Sequence, residues 1–238
     1  MNLNQSVTWG TRRPLLITQG DALAAVIGFC FGRNASGRRL FAYASYDAAL
    51  RGAPDPIEGA IHAANGLNAN LSASDLLELL HLHEQSSLPD LSQCPPFWTL
   101  PYADVLSDPS NNTPAGMLWK WYHAVTAISG LGGAASSKTG HHLAPTVMPL
   151  WDSLVGRSWH LNHMWAEFHQ QLNQHVVWCA DLERGVEHYR VSHEGGFGIP
   201  VSRLRIVDIV LWLDNRGELA LALSTGQELL AGLNPSAW

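Results

Sequence analysis

Asp152 stands twenty residues after Gly132, with Lys138 between them and Arg157 five residues further on. A lone carboxylate of this kind can stabilise a developing positive charge and orient or deprotonate water, as carboxylates do in glycoside hydrolysis. Upstream lies Ile128-Ser129-Gly130-Leu131-Gly132, a hydrophobic-x-Gly-hydrophobic-Gly turn between two helical stretches. Its glycines would let the chain turn tightly and approach a ligand closely. The helix after it would offer unsatisfied N–H groups and a positive dipole end to an anion such as a phosphate. The plainer alternative is that Asp152 caps the segment beginning Ser153-Leu154-Val155 and that the turn is structural.

The stretch from Ile128 to Arg157 resembles the helix-hairpin-helix DNA glycosylase superfamily, of the endonuclease III and 8-oxoguanine glycosylase type. The resemblance is specific over about thirty residues and weak elsewhere. It implies that Gly130, Leu131 and Gly132 form the DNA-gripping hairpin, that Asp152 is the catalytic aspartate, and that Arg157 contacts DNA. It further implies a target base rotated out of duplex DNA. In the superfamily a loop after an early helix fills the hole left by the flipped nucleotide. Asn65 or Asn68 is the counterpart here, in Asn65-Gly66-Leu67-Asn68-Ala69-Asn70, which also reads as an ordinary turn. The chain also looks like an uncharacterised bacterial branch with Ser137-Lys138 ahead of a Pro-x-x-Asp stretch.

Two departures shape the expected reaction. Members with lyase activity carry a Schiff-base lysine two residues after the second hairpin glycine, and Ala134 occupies that position here. Lys138 lies one helical turn later and is only an auxiliary candidate. Members with an iron–sulfur cluster need four cysteines, and this chain has three, Cys30, Cys94 and Cys179, without paired spacing. The resemblance thus implies a monofunctional, water-using enzyme without metal or cofactor, acting on a damaged or modified base, with the hypermodified bases of phage DNA as one class and antiviral defence as the setting. The rival from another class is a non-catalytic helix-hairpin-helix DNA-binding module.

Composition bounds these readings. The 238 residues are 46% hydrophobic and only 14% charged, enough for a large core in one compact domain or two small parts. The expected division is 1–110 and 111–238. A net charge of −6 argues mildly against nucleic acid, although gripping phosphate with backbone amides needs no basic bulk. Six of the arginines fall within the first 51 residues and could face DNA or solvent. Ten tryptophans serve the core or stack on an unpaired base. Sparse, odd cysteines fit a reducing cytoplasm. The N-terminus lacks the basic region, apolar core and cleavage site of a secretory signal, and the apolar run 22–31 is too short to span a bilayer. A monomer bound to double-stranded DNA is expected.

Positioning these residues calls for an all-α fold, with two helical subdomains flanking a cleft and the hairpin and Asp152 at its mouth. Residues 1–20 read as extended, with Arg13-Pro14 breaking any helix. Helices are predicted from Asp21 to Phe31, over 41–50, from Pro56 to Ala64, and over 72–86, where Leu76, Leu77, Leu79, Leu80 and Leu82 form an apolar face. Residues 87–113 read as a long loop. Thr113-Pro114 opens the helix leading into the hairpin, and 133–142 forms the second hairpin helix. Helices over 153–174, 176–191 and 201–213 follow, with 216–230 ambiguous. His163 and Glu167 have metal-pair spacing without a third ligand.

Overall fold

The structure is a computed structural model that describes residues 1–41, 56–67, 69–85, 88–106, 112–128, 131–160, 164–195, 200–231 and 233. It is all-α apart from one antiparallel hairpin, β1 (Ser6–Trp9) and β2 (Leu15–Thr18), in register from Ser6 opposite Thr18 to Trp9 opposite Leu15. The predicted helix at 41–50 falls almost wholly outside the described residues.

Helix α1 (Gln19–Phe31) runs through the centre. Every residue from Ala22 to Phe31 is buried, as an apolar run with no polar face requires. Its cap is Thr18 rather than Asp21: the Thr18 hydroxyl takes the Asp21 amide at 3.0 Å, and Asp21 returns the contact through its carboxylate at 2.7 Å. Helix α1 crosses the last helix, α10 (Leu219–Leu230), almost backbone to backbone. A Cβ on Gly28 would sit 2.0 Å from the Ala222 carbonyl oxygen, and one on Gly226 would sit 1.8 Å from that of Ala24. The ambiguous tail is therefore a helix, held by small residues rather than by periodicity.

Helix α2 (Pro56–Gly66) starts at the predicted proline and continues two residues past the predicted end, so Asn65 and Gly66 are helical. Helix α3 (Ala73–Glu84) is capped by Ser72 in a reciprocal box with Asp75. Its apolar face is narrower than expected: Leu79 is buried, but Leu77 is largely exposed. The predicted loop 87–113 is built from two short 3₁₀ turns, Leu91–Gln93 and Phe97–Thr99, and the one-turn α4 (Tyr102–Val105), with Leu91, Phe97, Leu100 and Val105 in the core.

Helices α5 (Pro114–Thr126) and α6 (Gly133–Leu143) pack against each other, and α6 also packs on α2. Thr113 caps α5 through the Gly116 amide at 3.0 Å, with Pro114 at the first position. The predicted continuous helix over 153–174 is instead a 3₁₀ turn, Val155–Ser158, followed by α7 (Met164–Gln174). The cause is the Ser158 carbonyl, which accepts the amides of Thr11 at 2.9 Å and Arg12 at 3.0 Å, while Trp159 enters the core. A carbonyl turned to that loop no longer propagates a helix. Helices α8 (Val176–His193) and α9 (Arg203–Arg216) complete the chain. One hydrophobic cluster runs from Val7 to Ala222 and draws on both sides of residue 110. Among the described residues no helix is long and apolar enough to cross a membrane.

Candidate functional site

Helix α6 brings the site together. Its small residues let it sink into the protein: Ser136, Ser137, Lys138, Thr139, His141 and His142 are all buried. Two of them hold the segment that leads to Asp152. The Ser137 hydroxyl donates to the Trp151 carbonyl at 2.9 Å and accepts the Trp151 amide at 3.0 Å. The His141 Nδ1 donates to the Met148 carbonyl at 2.7 Å. Burial pushes the His141 imidazole down to about 3, against which that hydrogen bond works, so the ring is neutral and Nδ1 carries its proton. Pro145 is pinned from a third direction, its carbonyl accepting the Ser202 hydroxyl at 2.7 Å.

The segment so fixed delivers Asp152 to a cavity of about 320 Å³. Ala134 and Lys138, one helical turn apart on α6, line the same cavity, as do Phe29 of α1 and Arg205, Asp208 and Trp212 of α9. Asp152 both caps and faces the cavity. Its Oδ1 accepts the Leu154 amide at 2.8 Å and the Val155 amide at 2.9 Å, while no described residue engages Oδ2. Lys138 is only 6% exposed and donates from Nζ to the Leu67 carbonyl at 2.8 Å. Burial lowers its ammonium from the ordinary lysine value, and the nearby Asp152 and Asp208 charges partly offset this.

The other candidate residues are placed apart. Leu131 is buried, its side chain committed to the core and its amide to the Ile128 carbonyl at 3.0 Å. Any ligand contact from it is through the main chain. Gly132 is the N-cap of α6 and receives no side-chain cap; its φ of −84° is open to any residue, and a Cβ there meets nothing within 4 Å. The glycine that packing demands is Gly133, where a Cβ would lie 2.0 Å from the Tyr122 hydroxyl. Arg157 is exposed on the 3₁₀ turn and does not line the cavity. Asn65 holds the Leu71 backbone with both ends of its amide, accepting at 2.7 Å and donating at 3.1 Å. Its side chain is thus in use within the chain rather than presented outward. Gly130, Asn68 and His163 lie outside the described residues. Among the described residues no three His, Cys, Asp or Glu side chains group as a metal site, and the three cysteines are buried and unpaired in disulfides.

Sequence reasoning missed Arg205, Asp208 and Trp212, because the stretch 201–213 reads as an apolar core helix. The signal was there: two opposite charges three residues apart inside Leu204-Arg205-Ile206-Val207-Asp208-Ile209. Neither charge has a solvated face to occupy in such a run.

No curated protein and no solved structure matches the chain. One family profile does match, over residues 26–215, a span that holds every residue of the cavity except Arg216. The chain belongs to that family, the family of unknown function DUF6308.

Proposed function

We propose that this protein is a monofunctional DNA glycosylase that hydrolyses the N-glycosidic bond of a damaged or modified base rotated out of the duplex. The observation that carries the reading is the convergence of Asp152, Ala134 and Lys138 on one cavity, with the uncapped start of α6 a single helical turn from Ala134. Asp152 is the catalytic carboxylate. As the C1′–N bond breaks, its electron pair leaves with the base nitrogen, and the sugar becomes cationic. The carboxylate stabilises that cation, and water adds to C1′ with loss of a proton. No covalent enzyme intermediate is needed, since Ala134 stands where a Schiff-base lysine would be and Lys138 is bonded to Leu67.

The backbone amides at the start of α6 are the proposed phosphate grip, which explains how a chain of net charge −6 would hold duplex DNA. The cavity lies at the lower end of the range of about 300–1,000 Å³ typical of small-molecule sites, so a base enlarged by modification, including those of phage DNA, is within its reach. The working form is a cytoplasmic monomer.

A second reading rests on the cap. Asp152 Oδ1 serves two backbone amides, as in a purely structural residue, and the protein would then be a non-catalytic DNA-binding module. Asp152→Asn separates the two, because Asn caps a helix about as well as Asp but carries no charge. The expected result is a normal melting curve, unchanged duplex binding, and single-turnover base release slowed by roughly 10²–10³-fold. Near-normal release by the folded variant would leave Asp152 as a cap only.

A further inference from the structure

Arg205 and Asp208 are 4% and 5% exposed, lie on one face of α9, and are paired with each other. A buried ion pair costs desolvation that its mutual attraction often fails to recover, and apolar residues of similar size commonly hold a helix as well. This pair is also not sealed in the core. Both residues line the Asp152 cavity, Asp208 reaches a second, smaller cavity beside Leu150, and the Arg205 guanidinium lies 5.6 Å from the centre of the Phe29 ring. Aromatic surface from Phe29 and Trp212 completes that wall, their ring centres 6.0 Å apart.

We propose that Arg205 and Asp208 read the hydrogen-bonding edge of a flat heterocyclic base seated against Phe29 and Trp212. The proposal rests on the reading of the cavity as the receptor of an extruded base, and it names the residues that choose the base. An arginine has five N–H donors and a carboxylate has four acceptor positions, so a paired Arg and Asp retain hydrogen-bonding capacity for a third group. Side by side they present donor next to acceptor. The complementary ligand has an acceptor next to a donor, as in the ring carbonyl or ring nitrogen of a nucleobase beside its N–H or amino group. An apolar ring of the same shape would desolvate the pair and return no hydrogen bond, and a polar site rejects such an analogue strongly. The substrate class is therefore the lactam or amidine heterocycle rather than any flat ring that fits.

Equilibrium dialysis of the whole chain against cytosine, uracil, adenine and, as shape control, benzyl alcohol tests this without any bond cleavage. Saturable binding of at least one base and none of benzyl alcohol is expected, with Asp208→Asn weakening base binding by about tenfold or more. In the unsubstituted chain labelled with ¹⁵N-arginine, the Arg205 side-chain Nε–H resonance should move when that base is added, a readout that needs no variant to fold. Failure of every base to bind, equal binding by folded Asp208→Asn, or an unmoved Arg205 resonance overturns the proposal. Because the assay does not involve the Asp152 reaction, a negative result here and a negative result for Asp152→Asn fall on different claims.

Discussion

At the scale of single residues, Lys138 decides what kind of reaction the cavity supports. A lysine nucleophile must be neutral and free to reach C1′. Burial favours the neutral amine, yet Nζ is spent on the Leu67 carbonyl at 2.8 Å. Borohydride added to the protein with duplex DNA containing an abasic site is therefore expected to trap no covalent adduct, and strands should break only after alkali or heat. An adduct that vanishes in Lys138→Met would show instead that the amine leaves Leu67 and attacks. In the sequence this residue stands out only by its distance from the missing motif lysine. That it shares a cavity with Ala134 and Asp152 followed from helical spacing; that it donates to a carbonyl 71 residues away did not, because no local pattern encodes a partner on another helix. The same holds for Arg205 and Asp208, whose charges were visible in the sequence while the cavity beside them was not.

At the scale of elements, the turn between α5 and α6 shows which part of a motif can be read and which cannot. Both helices were legible, from Thr113-Pro114 at one start and the run of small residues in the other. The role expected of Gly132 was not. Its φ of −84° and open surroundings admit a side chain, whereas Gly133 is held against Tyr122. Gly133→Ala should cost roughly 1–3 kcal/mol by overpacking, since the Tyr122 ring is wedged between Trp119 and Trp165 with centroids at 6.1 and 5.2 Å. Adding Tyr122→Phe, which removes the clashing oxygen, should recover much of that loss in a double-mutant comparison of melting curves. Gly132→Ser should behave in the opposite way. Its hydroxyl can cap α6, adding up to about 1 kcal/mol of stability. On the proposed function it also occupies amides meant for phosphate, so duplex affinity at low salt should fall. A more stable variant with undiminished duplex binding would remove α6 from the DNA contact. The break at residues 155–163 was illegible for a similar reason: the carbonyl that interrupts the helix is taken by amides of residues 11 and 12, far away in sequence.

At the scale of the whole molecule, the pieces that position Asp152 belong to the same core that holds the fold, and this ties stability to pH. Burial pushes His141 down to about 3 and His142 to about 4, and it lowers His169 and His175 in the same direction. In the unfolded chain these rings take up protons near pH 6.5. Between that value and their folded pKa values the unfolded state holds more protons than the folded one, so stability is complete above about pH 6.5 and falls as the pH drops. Each ring that stays neutral in the fold contributes about 1.4 kcal/mol per pH unit to this slope. The carboxylates remain mostly ionised down to about pH 5, so the histidines govern the window from 6.5 to 5. Thermal melts across that window should show a steady loss of stability on acidification, steeper than one proton's worth. His142→Asn, at the less deeply depressed of the two α6 histidines, should reduce the slope by about one proton while keeping a folded protein at pH 7. The loss on acidification should appear as weaker anchoring of the segment around residues 144–152 as well, because protonation of His141 sets a charge in the core beside Arg205 and His142. Melting temperatures that stay level from pH 6.5 to 5 would mean that these rings reach water in the folded protein, and that α6 is not the sealed frame on which Asp152 is mounted.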